Sequence, residues 1–235
     1  MKDNASYYDE FAKTYEERRG AGYHAWLDDA QANLVRRHSQ GGRLLEVGCG
    51  TGLILERLRL DFDDVVGVDL SEGMLEHARA RGLTVEQSSA EELPFEDESF
   101  DLVCSFKVLA HVQGIRSAAL EMVRVLKPGG LLIAEFYNPR SIRGAIWSLK
   151  SGGQTGSGGQ TERDVYVRFD TPRQARAYFP ESMEWVESYG LRVVTPLPVM
   201  HKIPLVRDAL QSLEHGLAKP LAPVGSFYDL VLRKE

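Results

Sequence analysis

Residues 44–54 read LLEVGCGTGLI, an apolar run that meets an acid and then three glycines within five positions. Because glycine lacks a Cβ atom, it permits a tight turn and lets a ligand approach the backbone closely. At the end of the first strand of a doubly wound sheet, such a turn lies in the crevice where ligands bind. The stretch therefore predicts a strand, a glycine turn, and a helix whose first N–H groups lie beside a ligand.

Strands and helices alternate along the chain after this turn. Apolar and β-branched runs predict strands at 43–47, 64–70, 83–87, 99–106 and 131–136. Helical spacing of apolar residues predicts helices at 52–60, 71–82 and 117–130. Repeated β-α-β units with apolar strands indicate an α/β fold, a doubly wound and mostly parallel sheet with helices on both faces.

The pattern changes after residue 136. Helical spacing recurs at 141–150, in TPRQARAYF (171–179) and in SMEWVESYG (182–190), and two more strands are predicted at 191–197 and 226–234. Residues 151–160, SGGQTGSGGQ, hold five glycines in ten positions and predict a mobile loop. The sheet would then contain seven strands.

We interpret residues 1–235 as a single domain. Its predicted parts are an N-terminal helical arm (1–40), a ligand-binding core (41–136), a lid inserted after the fifth strand (137–182), and C-terminal strands and a helix that complete the sheet (183–235).

Composition sets limits on the function. The 235 residues are 43% hydrophobic and 26% charged, which is ordinary for a soluble globular protein, and the net charge of -6 disfavours a nucleic-acid partner. Cys49 and Cys104 lie in apolar, strand-like surroundings without metal-ligand spacing, so we interpret them as reduced core thiols of a cytoplasmic protein. The N-terminus has no apolar signal segment, and no apolar run approaches the length of a membrane span.

Two acids indicate the kind of ligand that the glycine turn would bind. A dinucleotide site needs G-x-G-x-x-G, but this turn reads G-x-G-x-G, with Leu53 where the third glycine would fall. Glu46, two residues before the first glycine, would repel a pyrophosphate and would suit a ligand with a positive amine. Asp69 ends the second strand, where an acid can accept both hydroxyls of a ribose. The segment SAEELPF (89–95) follows the third strand, where an adenine attached to that ribose would reach.

These motifs together resemble a known family. LLEVGCGTG, GVDLSEGML, SAEELPFEDESFDLV, LAHV and EMVRVLKPGGLLIAEF, in this order, resemble the class I S-adenosylmethionine-dependent methyltransferases with a Rossmann-like fold. The resemblance is to the small-molecule group that includes the ubiquinone and menaquinone biosynthesis methyltransferases, of the methyltransferase type 11 kind. It covers residues 40–136 closely, and YYDEFAKTYEE is similar to the family's N-terminal arm.

The resemblance implies S-adenosyl-L-methionine as cofactor, S-adenosyl-L-homocysteine as product, and no metal. It implies cofactor contacts in five places: the methionine end, the ribose, the adenine, the turn after the fourth strand, and the arm. Glu46, Gly48, Cys49 and Gly50 would line the methionine end, and Asp69, Leu70 and Met74 would lie at the ribose. Ser89, Ala90 and Glu91 would contact the adenine. Phe106 and Lys107 follow the fourth strand, and Tyr7 and Tyr15 belong to the arm. Many relatives have an acid where this chain has Ser89, whose hydroxyl accepts a hydrogen bond more weakly than a carboxylate.

Methyl transfer from a sulfonium is an in-line displacement, for which the protein supplies position and excludes water. A general base is needed only for a hydroxyl or an acidic carbon acceptor. His111, in VLAHV after the fourth strand, is the best-placed candidate, although it fits equally well as a histidine packed under the lid. His24, His201 and Tyr137 are weaker candidates.

The sequence favours a small-molecule acceptor. Ser105-Phe106-Lys107-Val108 does not resemble the Asn/Asp-Pro-Pro-aromatic motif of enzymes that methylate amino groups of nucleic acids. Residues 138–176 carry seven basic residues against three acids, which are either a solvated surface or a mouth for an anionic or amphiphilic acceptor. The basic residues are Arg140, Arg143, Lys150, Arg163, Arg168, Arg173 and Arg176. A tRNA-modifying methyltransferase and a non-catalytic S-adenosylmethionine-binding protein are the alternatives.

Overall fold

The helices and strands of the computed structural model follow the predicted alternation up to residue 137. The structure describes residues 4–15, 22–142, 144, 166–195, 201 and 203–235. Its strands are β1 (Arg43–Val47), β2 (Asp64–Asp69), β3 (Thr84–Gln87), β4 (Phe100–Ser105), β5 (Leu126–Tyr137), β6 (Met183–Leu191) and β7 (Phe227–Lys234). Its helices are α1 (Asn4–Tyr15), α2 (Tyr23–His38), α3 (Leu53–Leu58), α4 (Glu72–Ala80), α5 (Ile115–Val125), α6 (Pro172–Arg176) and α7 (Pro204–Leu217).

The described strands form one sheet in the order β3-β2-β1-β4-β5-β7-β6. Strands β1 to β5 pair in parallel, whereas β7 runs antiparallel to both of its neighbours, β5 and β6. The chain moves outward from β1 to β3 and then returns to place β4 on the other side of β1. The order of strands therefore reverses between β1 and β4, and ligands of doubly wound sheets bind outside the carboxyl ends of strands at such a reversal.

Alternate residues of the strands bury against helices on the two faces of the sheet. Leu45 of β1 packs in a cluster with helix α5, whereas Leu44 packs in a second cluster with α2, α3 and α4. Each face thus removes apolar surface from water, which is the main term that stabilises such a fold. The mostly parallel sheet with helices on both faces, predicted from the sequence, is confirmed.

Strand β5 begins earlier than the sequence predicts. The predicted helix at 117–130 ends at Val125, and Leu126 already pairs with Phe100 of β4. The register then shifts before Leu131 pairs with Leu102. The proline and glycines at 128–130 therefore lie in an irregular extension of β5 and not in the last turn of the helix.

The predicted helix at 182–190 and the predicted strand at 191–197 are both wrong. Residues Met183–Leu191 form β6, which pairs with β7. Residues 227–232 of β7 are buried, so without β6 the second edge of β7 would present unpaired N–H and C=O groups. Strand pairing therefore overrides the helical spacing of this segment. After Leu191 the chain bends, Arg192 has a φ of 56°, and residues 196–197 lie outside the described part of the chain.

The segment predicted as a helical arm contains α1 and α2. Helix α1 contacts the start of α4, where Oδ1 of Asp9 accepts hydrogen bonds from the Ser71 hydroxyl at 2.6 Å and from the Gly73 N–H at 3.0 Å. Helix α2 packs against the sheet through Ala32 and Val35, which are fully buried. Most of the predicted helix at 141–150, and all of the glycine-rich stretch 151–160, lie outside the described residues.

Candidate active site

A cavity of about 370 Å³ lies at the carboxyl ends of β1, β2 and β4. This volume falls within the range of small-molecule sites. The structure brings most of the predicted site residues together at its wall. These are Tyr15, Glu46, Gly48, Cys49, Gly50, Asp69, Leu70, Met74, Ser89, Ala90, Glu91, Phe106, Lys107 and His111.

Of the two arm tyrosines predicted to cover the cofactor, Tyr15 lines the cavity and Tyr7 does not. Tyr7 is 2% exposed and does not line the cavity; its ring packs against Tyr8 and Phe11. Tyr8 lines the cavity instead, because successive helical residues point about 100° apart. Nothing in the pair YY distinguishes one tyrosine from the other, so this choice could not be predicted from the sequence. Burial raises the pKa of Tyr8 well above its usual value.

The glycine turn has the geometry that the sequence predicts. A Cβ atom on Gly48 would lie 2.1 Å from a methyl group of Val108, so only glycine fits there without movement of the neighbouring loop. Gly50 has a φ of 55°, and no described atom lies within 4 Å of the position that its Cβ would take. The backbone at Gly50 therefore faces the open cavity.

Asp69 ties the glycine turn to the start of α4. Its Oδ2 accepts a hydrogen bond from the Gly50 N–H at 2.9 Å, and its Oδ1 accepts one from the Ser71 N–H at 2.9 Å. Burial raises the pKa of Asp69, while these two N–H bonds oppose the rise. Ser71 in turn caps α4 by accepting a hydrogen bond from the Met74 N–H at 3.2 Å.

Glu46 lines the cavity with a buried carboxyl group. It is 2% exposed, and its Oε2 has no hydrogen-bond partner among the described residues. Burial raises the pKa of Glu46 to about 8, and the nearby Lys107 counteracts part of this effect. A buried carboxyl with one unpartnered oxygen is costly to ionise, and perturbed acids of this kind cluster at functional sites.

Lys107 connects the cavity to a buried polar layer that the sequence analysis missed. Its Nζ forms an ion pair with Oδ1 of Asp28 at 2.7 Å, and its N–H donates to Oε1 of Glu135 at 2.9 Å. The second oxygen of Glu135 accepts a hydrogen bond from Gln31 at 2.5 Å. Lys107 has a left-handed φ of 61°, so Glu135 holds the turn after β4 in a conformation that few residues adopt.

Asp229 lies opposite Glu135 on the neighbouring strand β7. It is fully buried, and neither of its carboxyl oxygens has a hydrogen-bond partner among the described residues. Burial, followed by the charge of Glu135, raises the pKa of Asp229 well above its usual value. The sequence contained a signal for this layer: acids at 135 and 229 interrupt two apolar strands.

The segment after β3 closes the end of the cavity where an adenine was predicted. The Ser89 hydroxyl accepts a hydrogen bond from the Glu91 N–H at 3.1 Å, and Oε1 of Glu91 accepts one from the Gly114 N–H at 3.1 Å. These bonds hold Ser89, Ala90 and Glu91 at the wall of the cavity, and they join the segment to the start of α5.

His111 lies at the wall of the cavity, between two aromatic rings. Its Nδ1 is 3.0 Å from the backbone oxygen of Tyr166. The rings of Tyr8 and Tyr137 contact the imidazole edge to face, with centroids 6.0 Å and 5.8 Å away. A carbonyl oxygen can only accept a hydrogen bond, so this contact places a proton on Nδ1 and, in the neutral ring, leaves the lone pair on Nε2.

The three weaker candidates for a base do not line the cavity. His24 packs on the ring of Tyr23, at 5.3 Å. His201 is 3% exposed and lies between Tyr23 and Trp26, and burial lowers its pKa. The ring of Tyr137 packs against the imidazole of His111, with centroids 5.8 Å apart.

Two of the basic residues predicted to attract an anionic acceptor are engaged in contacts within the protein. Arg168 forms a two-point ion pair with Asp170, at 2.8 Å and 3.0 Å. Arg176 donates hydrogen bonds to the backbone carbonyls of Phe179, Pro180 and Met183, between α6 and the start of β6, and thus also acts structurally. Arg143, Lys150 and Arg163 lie outside the described residues.

The two cysteines, a membrane span and a metal site are the remaining features on which the sequence led to an expectation. Cys49 and Cys104 are buried free thiols, and burial raises the pKa of each. Across the described helices, none is long and apolar enough to cross a membrane. Within the same described ranges, no three His, Cys, Asp or Glu side chains are grouped to hold a metal ion.

Comparison with known proteins gives a consistent result. Residues 45–134 match the model of a family described as a methyltransferase domain. The chain is 40% identical over 117 residues to the ubiquinone/menaquinone biosynthesis C-methyltransferase UbiE of Geobacter sulfurreducens, a match that covers 45% of this chain and 46% of that protein. It is 36% identical over 123 residues to the ubiquinone biosynthesis O-methyltransferase of Cereibacter sphaeroides, covering 47% and 50%. The matches thus span about half the length of these two relatives.

The fold is shared over a greater length than the sequence. A crystal structure of a SAM-dependent methyltransferase from Thermotoga maritima, described as a possible histamine N-methyltransferase, superposes with a TM-score of 0.71. That match covers 98% of this chain and 99% of the other, at 22% sequence identity. The seven-stranded, mostly parallel sheet is therefore the Rossmann-like fold found in that protein.

Proposed function

Because this chain belongs to the S-adenosylmethionine-dependent methyltransferases, we propose that it transfers a methyl group to a small-molecule acceptor bound in the cavity at the carboxyl ends of β1, β2 and β4. The observation that carries the proposal is the convergence of Glu46, Asp69 and the segment 88–91 on one cavity at the reversal of strand order. S-adenosylmethionine would supply an electrophilic methyl group there.

The residues present fit this cofactor. Oε2 of Glu46, buried without a described partner, offers an acceptor to the amino group of the methionine end. Each oxygen of Asp69 accepts one backbone N–H, and its second lone pair can accept a ribose hydroxyl. Ser89, Ala90 and Glu91 would contact the adenine. Tyr8, together with Tyr15, would cover the cofactor in the place predicted for Tyr7.

His111 would act as the general base. Its Nε2 accepts the proton that a hydroxyl or an acidic carbon of the acceptor loses during methyl transfer, since the Tyr166 carbonyl keeps the other proton on Nδ1. The rings of Tyr8 and Tyr137 pack against the imidazole on two sides. The remaining requirement is geometric: the acceptor atom has to lie in line with the bond that breaks.

The acceptor that fits this surface best is a small aromatic ring with a hydroxyl group. The supporting observations are the aromatic surface that Tyr8 and His111 present to the cavity, and two relatives named for quinone biosynthesis, one a C- and the other an O-methyltransferase. With Arg168 and Arg176 engaged internally, less of the predicted basic surface remains to attract an anion.

The experiment has two stages. Calorimetry first measures S-adenosylhomocysteine binding. Transfer of labelled methyl groups from S-adenosylmethionine is then compared for 3,4-dihydroxybenzoate, for a short-chain hydroquinone, and for bulk tRNA. We expect binding, and labelling of one of the two ring compounds. Labelling of tRNA alone would replace this proposal with a tRNA-modifying activity, and tight binding without transfer to any of the three would favour a non-catalytic binding protein.

A further inference from the structure

The segment 166–170 is joined by its backbone to the two elements that surround His111. The Arg168 N–H donates to the carbonyl of Ala110 at 2.8 Å, and the Asp170 N–H donates to the carbonyl of Tyr137 at 2.8 Å. The Tyr166 carbonyl accepts the hydrogen bond from Nδ1 of His111 at 3.0 Å. The segment thus contacts His111 itself, the residue before it, and the backbone of Tyr137, whose ring packs against His111.

A closed group of side chains holds the other side of this segment. Arg168 donates two hydrogen bonds to the carboxylate of Asp170, and the Tyr178 hydroxyl donates to the same carboxylate at 2.6 Å. Arg168 also donates to the Tyr178 hydroxyl and lies 4.8 Å from the centre of its ring. The Asp170 side chain is only 3% exposed. A buried, two-point pair of this kind is geometrically specific, unlike an exposed ion pair.

The orientation of His111 therefore depends, through Tyr166, on Arg168, Asp170 and Tyr178, which do not line the cavity. Without the Tyr166 carbonyl, the proton on Nδ1 would lose its acceptor, and the neutral ring would shift toward the Nε2–H tautomer that histidine prefers in water. That tautomer has no lone pair on Nε2 and cannot accept a proton there. The position of the carbonyl is fixed by the two backbone bonds and by the Arg168–Asp170–Tyr178 group.

We propose that Arg168, Asp170 and Tyr178 are positioning residues, which hold Tyr166 so that its carbonyl orients the imidazole of His111 and sets its tautomer. The proposal deepens the proposed function, since it rests on His111 as the base. Its structural part, the control of a tautomer, can be measured without any acceptor.

Nitrogen-15 NMR of histidine-labelled protein gives the tautomer of each imidazole, and a His111→Gln sample assigns the signal. We expect wild-type His111 to be the Nδ1–H tautomer. In Asp170→Asn and in Tyr178→Phe, we expect the Nε2–H form to become the larger fraction. Tyr178→Phe removes a single hydroxyl and keeps the test decisive should Asp170→Asn fail to fold. Asp101→Asn is the matched control, because Asp101 also pairs with a basic residue, Lys127, but lies near the opposite end of β4.

Kinetics with 3,4-dihydroxybenzoate supply the second readout. We expect kcat to fall about tenfold in both variants, with KM for S-adenosylmethionine changed by less than about twofold. A wild-type enzyme that does not methylate this probe would count against the proposed aromatic acceptor, and the NMR result alone would then decide the positioning role. An Nε2–H tautomer in the wild type, an unchanged tautomer in Tyr178→Phe, or an equal change in Asp101→Asn would each overturn it.

Discussion

The two walls of the cavity are held together in different ways. The donor wall, formed by residues 46–50, 69–74 and 88–91, is local in sequence and is fixed largely by backbone groups, such as the Gly50 N–H on Asp69. The acceptor wall, formed by Tyr8, Asp28, His111 and Tyr166, is assembled from four separate parts of the chain. Its contacts join segments that are far apart in sequence, as in the ion pair of Lys107 with Asp28 and the contact of His111 with the Tyr166 carbonyl.

The donor wall lies in the part of the chain that matches the methyltransferase family, whereas most of the acceptor wall lies outside it. The match to the methyltransferase family, residues 45–134, includes the whole donor wall but only His111 of the four residues of the acceptor wall. Substitutions in distant segments can therefore reshape the acceptor wall while the donor wall stays intact. If the two walls are independent in this way, variants in the donor wall should change cofactor affinity most.

The largest effect is expected from Gly50→Val. Its φ of 55° is strained for a β-branched residue, and the new side chain would enter open space where the cofactor is proposed to lie. We expect affinity for S-adenosylhomocysteine, measured by calorimetry, to fall by at least about 100-fold.

Gly129→Val is the matched control for the strain. Gly129 has a φ of 78° and equally open surroundings, but it does not line the cavity. It should lose a similar amount of folding stability and keep its affinity for S-adenosylhomocysteine. Equal losses of affinity in both variants would mean that strain, and not the cavity, explains the effect.

The next largest effect is expected from Asp69→Asn. The amide retains the size of the side chain but loses the charge and one acceptor, so a ribose hydroxyl would lose its partner. We expect S-adenosylhomocysteine to bind about 1–3 kcal/mol more weakly in calorimetry, with the chain still folded. Asp64→Asn, at the other end of β2 and paired with Arg43 at the surface, should bind normally. Unchanged affinity in Asp69→Asn would remove the ribose assignment.

The donor wall was predictable because its signals are local. Gly48, Gly50 and Asp69 need particular backbone conformations or strand ends, and these leave a pattern within a few residues. The partners of the acceptor wall meet across long separations, 79 residues between Asp28 and Lys107, for example. The same limit explains the error at β6, since a strand that forms to cover the edge of β7 need not show a strand period of its own.

A smaller effect on cofactor affinity is expected from Glu46→Gln. This variant should gain folding stability and lose affinity for S-adenosylhomocysteine. The pKa of this acid is about 8 in the folded chain against 4.5 as its ordinary value, so the folded state retains a proton that the unfolded state releases. Stability of the wild type should therefore fall as pH rises through that window.

The amide carries no such penalty. Without ligand at neutral pH, we expect Glu46→Gln to be more stable than the wild type by about 1–2 kcal/mol in urea unfolding. Its affinity for S-adenosylhomocysteine should fall several-fold, because the ligand's ammonium group favours the ionised form of Glu46 and the amide cannot ionise. A variant that is both less stable and fully able to bind would contradict the role given to Glu46.

The smallest effect on binding is expected from Asp229→Asn, below both walls. The pKa of Asp229 is raised in the folded chain by burial and by Glu135, so ionising it at neutral pH disfavours the folded state. The neutral amide should therefore raise the free energy of unfolding by about 1 kcal/mol near pH 7, and this gain should vanish below the ordinary pKa of 3.8, where both states are protonated. Asp208→Asn, at an exposed acid, should show no such gain.

Because Asp229 does not line the cavity, S-adenosylhomocysteine should bind Asp229→Asn as it binds the wild type. Weakened binding would show that the buried polar layer, through Glu135 and Lys107, also determines the shape of the donor wall.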